Sequence, residues 1–154
     1  MTATGTISLV DLYEVDETAW LDAMARLAAH GGGEDFDFAH LAEYLHDMAR
    51  RDRREVESRL AILLAHLLKW TYQPERRSRS WRATVAEQRQ ELRRLLASKT
   101  LRNHAVNSFD VTYADAVERA AIDTGLSPDA FPAACPFDLE VALGSLELPD
   151  DPGA

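Results

Sequence analysis

The chain has 154 residues, 46% of them hydrophobic, with 7 glycines and a formal net charge of −9. That profile suits one globular domain burying roughly 70% of its unfolded surface and disfavours a disordered or all-β polymer. The single cysteine, Cys135, cannot close an internal disulfide. No basic stretch precedes an apolar run at the N-terminus, and no apolar run approaches the ~20 residues that span a bilayer, so the reading is a cytoplasmic protein with no membrane association.

In chain order, a frayed start leads to a turn around Asp11 to Tyr13. Asp16 is the predicted N-cap of a helix from Glu17 to about Ala29, with Trp20, Met24 and Leu27 on one face. Gly31-Gly32-Gly33 stops it, since glycine costs about 1 kcal/mol per helical position. Asp37 caps a short helix, Phe38 to Arg50, whose buried stripe is Leu41, Tyr44, Leu45 and Met48. Arg50 to Glu55, RRDRRE, reads as a tight corner or as the exposed start of the next helix, with Arg51–Glu55 and Arg53–Glu57 spaced to pair.

The central helix is expected from Arg54 to Tyr72, with an apolar seam of Val56, Leu60, Leu63, Leu67 and Trp70. Beside it runs a mostly polar row: Glu55, Arg59, Ile62, His66, Lys69 and Gln73. Pro74 halts this helix. Ser78 or Ser80 caps the next, Trp81 to Ala97, which turns Trp81, Val85, Gln88, Leu92 and Leu95 inward. Antiparallel pairing then sets Lys69 opposite Thr84, His66 opposite Glu87 or Gln88, and Arg59 opposite Glu91. After a break at Ser98 to Thr100, one long helix from Leu101 to Thr124 carries a small-residue stripe: Ala105, Phe109, Thr112, Ala116 and Ala120. Gly125 ends it, Ser127-Pro128 starts a new cap, and a short helix at Leu139 to Leu143 precedes an acidic tail. The expected fold is all-α: a single domain over residues 1–154 with its core at about 9–146 and frayed termini. It is a bundle of about five helices built on the Arg54 to Ala97 antiparallel hairpin.

Charge is segregated. Of the 17 Lys and Arg, 15 lie between Arg50 and Arg102, against 6 of the 26 acidic residues, so that segment carries +9 and the remainder −18. Either acidic flanks neutralise the hairpin internally, or the hairpin faces an anionic partner.

The string HLLKWTYQPERRSRSWRATVAEQRQEL, together with Gly125-Leu126 and FPAACPFDLEVAL, resembles the domain-of-unknown-function family 29. The resemblance runs from Leu12-Tyr13 to about Leu143. It implies a small bacterial all-helical protein and carries no assigned activity, so no catalytic residue comes with it. His30-Gly31-Gly32-Gly33 departs from the charged, less flexible turn more usual there.

Two sets of residues carry candidate chemistry. His66, Lys69 and Gln73 lie one turn apart and either present an imidazole, an ammonium and an amide to a ligand or join Glu87, Gln88 and Glu91 in an interhelical network. Arg59 and His66 share a face, with arginine suited to phosphate charge and histidine to proton transfer; with Lys69 and Glu87 they would serve a metal-independent nuclease or other hydrolase. The second set is the loop QPERRSRSW, where Gln73, Arg76, Arg77, Arg79 and Arg82 stand among Trp70, Tyr72 and Trp81. Such a basic loop suits an acidic protein surface or a nucleic acid, and self-association as a homo-oligomer is also open. The histidines at 30, 40, 46, 66 and 104 show no metal-ligand spacing beyond a weak His40–His46–Asp47 grouping, and no cofactor motif is present. The leading expectation is a non-enzymatic interaction protein, with the hydrolase as the alternative.

Overall fold

The computed structural model describes residues 5–144 and Leu148. Seven α-helices and no strand occur among them, so the protein is all-α. The expected acidic tail and the first four residues lie outside the described residues.

Helix α1 (Leu9–Val15) replaces the turn expected near Asp11. Ser8 caps it by accepting from the Asp11 amide at 3.1 Å while its hydroxyl donates to the Asp11 carboxylate at 2.6 Å. Seven residues are too few to show a period, so only the cap could have announced this helix. Helix α2 (Glu17–Ala29) begins on Asp16, which accepts from the Ala19 amide at 3.0 Å. It ends where Gly31 takes a φ of 69° and the Gly32 amide reaches back to Leu27 O.

Helix α3 (Phe38–Tyr72) runs 35 residues without a break, correcting the two helices expected there. The RRDRRE cluster holds no glycine or proline, and its arginines and Glu55 are good helix formers. Flanking ion pairs tighten it: Arg50 to Asp47 at 2.8 Å and Arg59 to Glu55 at 2.9 Å. Clustered charge marks a solvated face here rather than a corner.

Pro74 ends α3 as expected, and a single 3-10 turn, Pro74–Arg76, leads to α4 (Arg79–Leu95), which Ser78 caps through the Trp81 amide. The long helix expected after Ser98 is two, α5 (Lys99–Asn107) and α6 (Phe109–Thr124). At the junction His104 O accepts from both the Ser108 amide at 2.9 Å and the Ser108 hydroxyl at 2.7 Å. Gly125, at φ 75°, closes α6, and Ser127 caps the turn Pro128–Ala130. Asp138 then caps α7 (Leu139–Ala142).

The chain divides into two compact units at Arg50 and Arg51, inside α3. In the first unit Trp20 and Met24 are buried. Tyr13 stands edge-on to Trp20 at 4.9 Å and stacks on His40 at 4.3 Å. Beneath them lies a buried carboxylate, Asp37, which accepts from Trp20 Nε1 at 3.2 Å and from His40 Nδ1 at 2.6 Å. None of the stripe expected inside is buried: Leu41, Tyr44 and Met48 are half-buried and Leu45 is 58% exposed.

The second unit is organised by the C-terminal half of α3. Leu60, Leu63, Leu64, Leu67 and Leu68 are all fully buried, and removing a leucine side chain from water contributes ~1.5–3 kcal/mol. Burial on every side of the helix follows from its neighbours: Val85, Leu92 and Leu95 of α4, Ala116 and Ala120 of α6, and Phe131, Phe137 and Leu143 of the C-terminal segment share one core. Alanines on α6 allow that helix a close approach. Tyr113 Oη donates to Pro132 O at 2.5 Å, tying the C-terminal segment to α6.

Candidate arginine groove on helix α4

Helix α4 has two faces. Val85, Gln88, Leu92 and Leu95 turn inward. Along its flank runs a groove of about 920 Å³ lined by Arg79, Arg82, Arg89 and Arg93, with Ala83, Ala86 and the edge of the buried Val85 as its apolar floor. Alanines between arginines leave the trough open. Leu148, itself only 5% exposed, lies in the same groove.

Two of these arginines have structural work. Arg89 is buried and donates Nε–H to Ala142 O at 2.9 Å; burial, and then the neighbouring Arg93 charge, lower its pKa. Arg93 donates to Leu143 O at 2.7 Å and to Gly144 O. The four-residue α7 leaves its last carbonyls without helical donors, and these guanidinium groups supply them. Arg79 and Arg82 stand exposed at the other end of the groove.

The loop expected to present a binding set is split by the fold. Arg77 is half-buried, donates Nε–H to Trp70 O at 2.9 Å and lies 4.8 Å from the Trp70 ring centre, while Arg82 covers the same ring at 5.3 Å. Gln73 is buried, and its Oε1 has no hydrogen-bond partner among the described residues. Arg76, Arg79 and Arg82 remain exposed. Trp70 is core, and Trp81 packs half-buried against it, so neither offers a free stacking face. Arg89 and Arg93 escaped the sequence reading. Their signal is the run of arginines at 79, 82, 89 and 93 separated by alanines at 83 and 86, which puts charge and small side chains on one helical face.

The candidate catalytic residues are dispersed. His66 is half-buried and lines a separate cleft of about 260 Å³ with Ile62, Ala65, Arg119, Ile122 and Asp123. Its Nδ1 lies 2.9 Å from Ile62 O. A carbonyl only accepts, so Nδ1 carries the proton and Nε2 is the basic nitrogen of the neutral ring. Burial, aided by the Lys69 charge and opposed by the Ile62 bond, keeps the ring below its ordinary pKa. Lys69 is buried, pairs with Asp123 at 3.0 Å and lies 5.1 Å from the Trp81 ring centre. Arg59 turns to Glu55 and, at 3.2 Å, to Gln88, and Glu87 is exposed.

The interhelical network expected between His66, Lys69, Glu87, Gln88 and Glu91 therefore forms differently. Lys69 finds its carboxylate on α6, Gln88 meets Arg59, and Glu91 pairs with Arg94 of its own helix at 2.8 Å. Arg59 was expected opposite Glu91, one turn further along. The loop sets this register, and the hydrophobic pattern leaves it unspecified. Among the described residues no three His, Cys, Asp or Glu are grouped to hold a metal ion; His40 is engaged with Asp37 and His46 is exposed.

The sequence profile of a family described as a domain of unknown function, DUF29, matches residues 12–145. The chain belongs to the DUF29 family. No curated protein and no solved structure matches this DUF29 chain, so the geometry of its own residues carries the functional argument. No described helix is long and apolar enough to cross a membrane.

Proposed function

We propose that this DUF29 protein is a non-enzymatic interaction module whose α4 groove and adjoining loop bind an acidic protein segment. The observation that carries the reading is the groove itself: arginines on its walls and an apolar floor of Ala83, Val85 and Ala86. Guanidinium forks suit carboxylates, and an apolar floor suits side chains. A nucleic-acid strand would want aromatic faces for its bases, whereas Trp70 is covered by Arg77 and Arg82.

Affinity capture from cell extract, with and without nuclease, tests the partner class. A protein retained after nuclease treatment supports the reading; loss of all bound material with nuclease points to nucleic acid instead. Changing Arg76 and Arg79 together to glutamine, which leaves Arg82 on the Trp70 ring, should weaken capture at least about tenfold while moving the melting temperature by only a few degrees, because exposed charges contribute ~0–1 kcal/mol each.

A second reading, a metal-independent hydrolase, draws on the cleft at His66, where a neutral imidazole stands beside Arg119 and Asp123. Hydrolysis of RNA or phosphodiesters in the presence of a chelator, abolished by His66→Gln, would establish it. An inert wild type rules it out.

A further inference from the structure

The cleft at His66 lies between two helices of the second unit. Helix α3 supplies Ile62, Ala65 and His66, and α6 supplies Arg119, Ile122 and Asp123. The His66 ring gives its Nδ1 proton to Ile62 O, so Nε2 of the neutral ring is a lone-pair acceptor. Burial keeps that ring neutral at pH 7. Asp123 is drawn to the buried Lys69 ammonium, 3.0 Å away, and their charges cancel. Arg119, one turn before Asp123 on α6, is exposed and has no hydrogen bond or ion pair among the described residues. Its guanidinium leaves the cleft with a single uncompensated positive charge.

Size and lining narrow the ligand. At about 260 Å³ the cleft is smaller than the ~300–1,000 Å³ that hold drug-sized molecules, which excludes a nucleotide and suits a molecule of a few heavy atoms. Ile62, Ala65 and Ile122 give it an apolar wall, and Ile122 is 82% exposed. Charge then selects among small polar molecules. A monoanion neutralises the site, a phosphate dianion overshoots, and a zwitterion leaves the positive charge unmet. A planar carboxylate matches the guanidinium fork. His66 Nε2 needs a donor, which a hydroxyl on the carbon beside the carboxylate supplies.

We propose that this cleft binds a small α-hydroxy monocarboxylate, with the carboxylate held by Arg119, the hydroxyl donating to His66 Nε2 and the alkyl part lying against Ile62 and Ile122. The site shares no residue with the α4 groove and calls for no hydrolysis. It therefore stands or falls independently of the acidic-segment and hydrolase readings.

The probe is sodium α-hydroxybutyrate, titrated into the full chain at about pH 7.5, where the ring is neutral. The proton NMR signals of the five histidine rings are followed. The His66 signal, identified by its loss in His66→Gln, should shift and saturate with a dissociation constant on the order of 1–10 mM, the range open to so small a ligand. Butyrate lacks the hydroxyl and should bind roughly threefold to tenfold more weakly, the effect of one neutral hydrogen bond. Arg119→Gln, at an exposed position, should keep the melting temperature within a few degrees of wild type and weaken α-hydroxybutyrate at least about tenfold, since a charge-assisted bond is lost.

A His66 signal that never saturates overturns the proposal. Equal affinity for butyrate removes the His66 hydrogen bond and overturns it, and affinity unchanged in Arg119→Gln does the same. Tighter binding of α-aminobutyrate or of inorganic phosphate would mean that the cleft selects a zwitterion or a dianion, and overturns it too.

Discussion

Asp37 and His66 show how opposite electrostatic surroundings shape single residues. Burial alone would raise the Asp37 carboxyl, but hydrogen bonds from the His40 side chain and backbone, and from Trp20, outweigh it and hold its pKa below 3.8. Its unfolded value is therefore the higher one, and the stability it contributes is present above about pH 4 and lost as pH falls through the folded value. Asp37→Ala leaves Trp20 Nε1 without its carboxylate acceptor and should cost ~1–3 kcal/mol; thermal melts at pH 7 would read this, with the difference from wild type shrinking below pH 4. For His66 the shift is also downward, so the linkage has the same sign in a higher pH window. The folded protein resists protonating it, so stability falls as pH drops below the ring's unfolded value of 6.5. His66→Gln should flatten that part of the pH–stability curve between pH 7 and 5. A curve unchanged by the substitution would remove His66 as the cause.

At the scale of elements, the caps were legible and the breaks were not. Asp16, Ser78 and Ser98 each accept an amide from the helix they start, as side chains of these types do wherever a first turn leaves donors unpaired. Pro74 and Gly125 stop helices by removing a donor and by accepting a positive φ. The charged run at Arg50 to Glu55 carries neither device, and α3 passes straight through it. Asp52 is exposed within that run, so Asp52→Ala should change stability by no more than about 0.5 kcal/mol. Asp52→Pro should cost ~3 kcal/mol or more and reduce the helical circular dichroism signal. A proline variant that melts like wild type would mean that the helix is already broken there. The junction at Ser108 also carries neither device, so periodicity reads the run from Leu101 to Thr124 as continuous although α5 and α6 meet there.

Over the whole molecule, the charge segregation seen along the sequence resolves unit by unit. Residues 1–50 hold 2 basic and 10 acidic side chains, net −8, and residues 51–154 hold 15 basic and 16 acidic, net −1. Within that unit Lys69 meets Asp123 and Arg102 meets Glu140. Near neutrality gives the second unit little long-range pull on a polyanion. The protein should elute from a heparin column at low salt, below roughly 0.2 M, where counterion release by a few arginines is already screened; retention to much higher salt would show that the groove arginines act as a polyanion site.

The sequence by itself determined that the protein is helical, where most helices start and stop, and that Leu60 to Trp70 is the core, because these depend on local propensity, capping chemistry and the spacing of apolar side chains. It also marked the exposed arginines 76, 79 and 82. What tertiary structure decided is which polar groups meet. Lys69 reaches Asp123, 54 residues away, and Arg89 reaches Ala142 O, 53 residues away. Arg77 was withdrawn from the loop onto Trp70, and Arg89 and Arg93 became the closed end of the groove. Helix phase and loop register fix these pairings, and each shifts by a whole turn for a change that leaves the hydrophobic pattern intact. Hence the fold could be read from the pattern, whereas the groove exists only once α4 and the C-terminal segment lie side by side.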